Sequence, residues 1–198
     1  GGEIQYSLTG GDDYTDTIPT GTDAKTYTVW YKVVGDENHS DSAPASVNVT
    51  IAKLPVELTW SNTDFTYDGS AKCPTAAVSN KANDTDEVNV TVSGGQTNAS
   101  DTAYTATATG LSGSDAANYT LTGGQNITQT FTIAKANPDV NVPTGLTATY
   151  GDTLADVTLT SGWAWDAPDT AVGNVGNNTF SATFTPSDTD NYNTVTKN

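Results

Sequence analysis

The residue with the strongest claim to chemistry is His39, the only histidine in the chain. It lies in Asn38-His39-Ser40-Asp41, so a Ser-His-Asp hydrolase is the first possibility to weigh. Adjacent residues along a chain do not assemble a triad, because its members must converge in space. One His and one Cys, Cys73, are too few for a zinc site. Carboxylates are plentiful, and calcium is the ion they could serve. The candidate groups are Asp12, Asp13 and Asp16; Asp84, Asp86 and Glu87; and Asp188 with Asp190. Calcium requires six to eight oxygens converging from loops. None of the three groups completes a loop pattern: Asp188-Thr189-Asp190 has neither the central Gly nor the terminal Glu. These acidic turns are expected to be solvated surface. No cofactor is expected, calcium being the one ion with candidate ligands. A glycosidase could in principle run on carboxylates alone, but here they cluster in turns, so no catalytic site is expected.

Trp163 and Trp165 offer binding chemistry instead. They stand two apart in Ser161-Gly162-Trp163-Ala164-Trp165-Asp166. On a strand both would face one side. Exposed, they would form a flat aromatic platform for sugar rings. Buried, they would supply core to a small domain short of aliphatics. Packing is the expected role, and carbohydrate binding the alternative. Asn-x-Ser/Thr sequons, as at Asn48, Asn89 and Asn118, follow from a chain rich in Asn and Thr.

The background is acidic and polar. There are 23 Asp and Glu against seven Lys, with no Arg, for a net charge of −16. Such a polyanion opposes nucleic acid and anionic membrane as partners. A single Cys excludes an intramolecular disulfide. No run approaches the ~20 apolar residues of a membrane helix. Gly1-Gly2 and a stop in mid-pattern at Asn198 read as a piece excised from a longer protein.

Strands must position these residues, since helical periodicity is absent and alternation is frequent. Strands are expected at 3–8, 26–34, 45–51, 56–60, 88–92, 103–109, 127–133, 147–150, 156–160 and 179–185. Turn clusters separate them, among them Gly10-Gly11-Asp12-Asp13, Ser93-Gly94-Gly95 and Gly123-Gly124. The pattern predicts an all-β sandwich.

The strands repeat. Ile51-Ala52-Lys53 returns as Ile133-Ala134-Lys135, and each copy is followed by a Pro within three residues, Pro55 and Pro138. Tyr27-Thr28-Val29-Trp30-Tyr31, Tyr104-Thr105-Ala106-Thr107-Ala108 and Phe180-Ser181-Ala182-Thr183-Phe184 align as equivalent strands. Each precedes an acidic turn that ends in an Asn: Asn38, Asn118 and Asn191. By this alignment His39 takes the place of Tyr119 and Tyr192, a planar side chain in a structural position. Three units follow: 1–53, a partial repeat lacking its first strands; 54–135, complete; and 136–198, lacking its last strand. The outer two are expected to expose unpaired strand edges, which could pair between copies.

The openings of the second and third units also match, Thr66-Tyr67-Asp68-Gly69-Ser70-Ala71 against Thr149-Tyr150-Gly151-Asp152-Thr153-Leu154. Here the chain resembles the mostly bacterial Ig-like (MBG) repeat domains with a Tyr-Asp-Gly or Tyr-Gly-X motif. The likeness extends through 27–32, 110–121, 151–160 and 172–176. It implies tandem Ig-like β-sandwich repeats in an extracellular, adhesin-like protein of the bacterial cell surface or wall. It brings no catalytic residues. It implies a stalk, spacer or adhesin segment whose neighbours are domains of the same polypeptide. It names no host or glycan ligand and implies no insertion into the membrane. Some bacterial Ig-like stalks form a Lys–Asn isopeptide bond beside a buried carboxylate. Lys53 and Lys135 are the lysines to consider, although a solvated linker charge is the simpler expectation.

Overall fold

A computed structural model describes residues 1–198. The protein is all-β, with several sheets and two single-turn 3-10 helices. The chain divides into two compact units and passes through each more than once. Unit 1 comprises 1–60, 76–92 and 108–127, and unit 2 comprises 61–75, 93–107 and 128–198.

Unit 1 begins with a three-stranded antiparallel sheet of β1 (Gly2–Ser7), β2 (Thr26–Gly35) and β3 (Ala45–Thr50), in that order. Ile4 pairs with Val33, Tyr6 with Tyr31, Val29 with Val47, and Tyr27 with Val49. Successive side chains alternate in direction, so this register gathers Ile4, Tyr6, Tyr27, Val29, Tyr31, Val33, Val47 and Val49 on one face. The opposite face carries Gln5, Ser7, Trp30, Lys32, Ser46 and Asn48. The loop after β1 folds over that second face. A Cβ on Gly10 would lie 2.7 Å from the Trp30 ring, and the Lys32 ammonium sits 4.9 Å from the Tyr14 ring centroid. Gly10 has φ +73°, which a side chain would oppose as well.

The remainder of unit 1 holds a core between strands β4 (Leu54–Ser61), β6 (Thr75–Val78), β7 (Asn89–Ser93) and β9 (Tyr119–Gln125). Val56 and Leu58 of β4 alternate with exposed Glu57 and Thr59, and pack with Val78, Val88, Ala108 and Tyr119. β4 and β9 run parallel, pairing Leu54 with Tyr119 and Pro55 with Thr120.

In unit 2, β10 (Thr128–Ala134) lies between the parallel β5 (Asp64–Thr66) and the antiparallel β8 (Ser100–Ser112). Tyr104 pairs with Phe131, and Ile133 with Ser100 after a bulge. Phe131 and Ile133 are buried, with the Phe65 ring edge-on to Phe131. A second sheet contains β11 (Trp163–Trp165), β12 (Ala182–Phe184) and β13 (Val195–Lys197), all antiparallel. Leu154, Val157 and Val172 form its small core with Trp165 and Phe180.

Several local expectations are corrected. Residues 147–150 and 156–160 are not strands. Leu154–Asp156 is a 3-10 turn fixed by a capping box, in which Asp156 accepts bonds from the Thr153 amide at 2.8 Å and hydroxyl at 3.0 Å. The Thr-x-x-Asp spacing therefore overrides the apolar alternation that follows it. Gly123 and Gly124 lie inside β9 and do not end it. A Cβ on Gly124 would meet the Val56 carbonyl at 2.8 Å, so glycine there permits close packing and is not punctuation. Both Tyr-Asp-Gly-like segments do turn. Gly69 and Gly151 have φ +82° and +101°, and Asp152 accepts the Thr149 amide at 2.7 Å. Only the first follows a strand. Tyr67 closes β5 with an amide bond of 2.9 Å to the Ala134 carbonyl, whereas Tyr150 is largely exposed.

Candidate functional site

A pronounced concavity lies in unit 2. It is a groove of about 620 Å3 whose walls include Leu154, Val157, Trp163, Trp165, Val172 and Phe180. Its aromatic wall comes from β11. Gly162 turns the chain at φ +88°, leaving no room for a Cβ against the Phe184 ring. The strand then sends Trp163 and Trp165 to one side. Trp163 is only 9 % exposed and packs against Phe184, with centroids 5.6 Å apart. Trp165 is half-buried and edge-on to Phe180, and its indole N–H donates to the Val157 carbonyl at 2.9 Å. Asp166 fixes the end of β11. It accepts bonds from the Ser181 hydroxyl and, at 2.7 Å, from the Thr183 hydroxyl, and these hold its carboxyl below the usual range. Lys197 is the only charged side chain lining the groove. Such walls can bind an apolar or ring-shaped group, but they offer no acid–base pair to act on it.

None of the other candidates lines this groove. His39 is exposed, with Nδ1 2.5 Å from Asp36 Oδ1. The N-terminal ammonium, then His39, hold the Asp36 carboxyl below its ordinary value. Asp13 is likewise held low by the Ser7 and Thr9 hydroxyls, at 2.5 and 2.6 Å. Asp188 accepts the Asn191 amide and carboxamide at 3.1 and 3.0 Å. No three His, Cys, Asp or Glu side chains gather closely enough to hold a metal ion. Lys53 is exposed, and Lys135 donates to the Thr189 carbonyl at 2.7 Å. The buried polar residues are Ser7 and Asn191, so the buried carboxylate that an isopeptide bond requires is missing.

Alignment of the three Asn residues gave no hint of what two of them do. Asn118 accepts the Ala24 amide at 2.7 Å, and Asn191 accepts the Ala99 amide at 2.8 Å. Ala24 and Ala99 each stand shortly before the aligned aromatic strand, three residues before Tyr27 and five before Tyr104. The residue after each Asn pairs in parallel with the residue after an aligned Lys: Tyr119 with Leu54, and Tyr192 with Ala136. Tyr119 is buried. Its hydroxyl donates to Asp86 and accepts the Ala82 amide at 2.8 Å. Burial, then the bond to Asp86, push its pKa above the ordinary 10. Tyr192 instead stacks edge-on to Tyr67 at 5.3 Å. His39, which the alignment puts in the same place, also meets a carboxylate, Asp36, but is exposed where Tyr119 is buried.

No family model matches the chain. No curated protein and no solved structure matches it either.

Proposed function

We propose that the chain is a non-catalytic stalk, spacer or adhesin segment of an extracellular bacterial surface protein, built from tandem Ig-like β-sandwich repeats. One recurrence carries the reading. Tyr27 pairs with Val49 as Tyr104 pairs with Phe131, and each pair lies just before an Ile-Ala-Lys. One Asn-to-amide bond and one parallel pairing then accompany the join after each Lys. A join made of a backbone-capping carboxamide, a strand bridge and a nearby Pro limits bending, which suits a spacer. The acidic, Thr-rich surface favours solubility and opposes polyanionic partners. No helix is long and apolar enough to cross a membrane. The test is serial extension. Chains carrying one, two and three successive copies of residues 54–135 should lengthen by equal increments in small-angle scattering. Growth as a single compact sphere would defeat the spacer reading.

The groove supports a second reading, carbohydrate binding through Trp163 and Trp165. The tight packing of Trp163 on Phe184 weighs against a flat platform. A glycan array showing binding that Trp165→Ala abolishes would favour this reading over the spacer.

A further inference from the structure

The β1–β2–β3 sheet is covered along one side, and on the other only at its Tyr27 end. Trp30 and Lys32 on its second face are overlaid by the loop through Gly10 and Tyr14. On the first face Ile4, Tyr31, Val33, Val47 and Val49 are 51, 41, 37, 52 and 49 % exposed. Tyr6, Val29 and Tyr27 also lie on this face and are half-buried, and a Cβ on Gly21 would lie 2.5 Å from the Tyr27 ring. No charged side chain of the three strands points from it, although the chain carries a net charge of −16; the Lys25 ammonium, from the loop before β2, lies 4.8 Å from the Tyr27 ring at one end. A sheet face of this composition is half of a sandwich without its second layer.

We propose that this face is a homotypic interface, on which a second copy of the chain seats its own β1–β2–β3 face to complete a two-layer sandwich. Three features favour a second copy over other occupants. The face is self-complementary, since branched aliphatics and tyrosines mesh with their own kind across a two-fold axis. Its apolar side chains expose on the order of 500 Å2, so pairing two copies removes roughly 1,000 Å2, the lower bound for a specific interface. The charges of each copy other than Lys25 lie off the face, so their repulsion acts at a distance that salt screens. The contact is thus expected to be weak, and to strengthen as salt is added. This is a meeting of faces, distinct from the strand-edge pairing expected from sequence.

Sedimentation velocity of the whole chain over a wide concentration range tests the proposal. A monomer–dimer equilibrium is expected, shifted at least tenfold toward monomer by Val47→Lys or Tyr31→Lys, and shifted toward dimer by added salt. Ser46→Lys, which projects from the opposite side of the same strand, is expected to leave the equilibrium within twofold of the parent. These positions are exposed at the surface, and a far-UV spectrum checks that each variant keeps its strands. A parent chain that stays monomeric throughout would overturn the proposal without recourse to any variant. A dimer weakened equally by Ser46→Lys and Val47→Lys would overturn it in favour of edge pairing. A dimer that salt dissociates would overturn it in favour of ion pairs.

Discussion

Strands β3 and β10 run toward the same Ile-Ala-Lys and pair with aligned tyrosines, yet they end in opposite environments. Val49 of β3 is 49 % exposed, whereas Phe131 of β10, in the matching register, is 1 % exposed. Ile51 is half-buried and Ile133 fully buried. The difference lies in the neighbours. β10 is a central strand, held between β8 and β5, and Phe131 is flanked by Tyr104 and Phe65 with centroids 5.6 and 6.0 Å away. β3 has β2 on one side and nothing on the other. An alternating strand specifies an apolar face, and the rest of the fold decides whether that face becomes core.

The sharpest way to break this comparison is to truncate both members. Phe131→Ala should cost about 3–5 kcal/mol through lost burial and an unfilled cavity. Val49→Ala should stay within about 0.5 kcal/mol, as surface changes do. Urea unfolding followed by tryptophan fluorescence gives both values. Equal costs would mean that β3 is buried in solution, by self-association or otherwise, and repeating the measurement at high dilution separates those two cases.

The aligned planar residues provide the next contrast. Tyr119→Phe leaves Asp86 and the Ala82 amide without their shared partner, at a cost of about 1–3 kcal/mol. His39→Phe removes only an exposed bond to Asp36 and should change stability little. The two carboxamides come after that. Asn118→Ala and Asn191→Ala should each cost about 0.5–1.5 kcal/mol, the usual net worth of one hydrogen bond. If the joins after Lys53 and Lys135 are equivalent, the two losses should match. A negligible loss at one site alone would show that the join does not recur in energy as it does in geometry.

The sequence makes the first two thirds of the molecule more legible than the last third. Seven of the ten expected strands form, all before residue 135, because there the alternation is long and Gly turns punctuate it. The expectations at 147–150 and 156–160 fail where a capping box and an Asp152 turn compete for the same residues, and that at 179–185 shrinks to Ala182–Phe184. Strands β5, β6 and β13 were too short to show a period, and β9 was hidden by its internal Gly pair. Trp163 and Trp165 were legible as a pair on one face. The groove they line was not, since its far wall comes from residues dispersed in sequence from Val142 to Asn198. Asn118 and Asn191 were visible as aligned residues. Their partners, Ala24 and Ala99, carry no side-chain signal at all.

The smallest expected effect concerns pH, and its two limbs have different origins. Asp13, Asp36, Asp68, Asp115, Asp156 and Asp166 all have folded-state pKa values below the ordinary 3.8. Hydrogen bonds to each carboxylate are the main cause, led by Ser7 for Asp13, the N-terminal ammonium for Asp36, Lys72 for Asp68 and the Glu87 amide for Asp115. A carboxylate held low stabilises the fold above its unfolded value, and the benefit disappears as pH falls through the folded value. Stability should therefore decline below about pH 4. These groups are solvent-screened and shared between both units, so the acid limb should shift as a whole and should flatten in salt. Tyr119 works in the opposite direction. Its raised pKa means that the neutral phenol is favoured in the fold, so its contribution is complete below the ordinary 10 and is lost as pH rises through the folded value. Tyr119→Phe should then remove part of the alkaline limb and leave the acid limb unchanged. An alkaline limb indifferent to that substitution would show that the Tyr119 phenol does not set it.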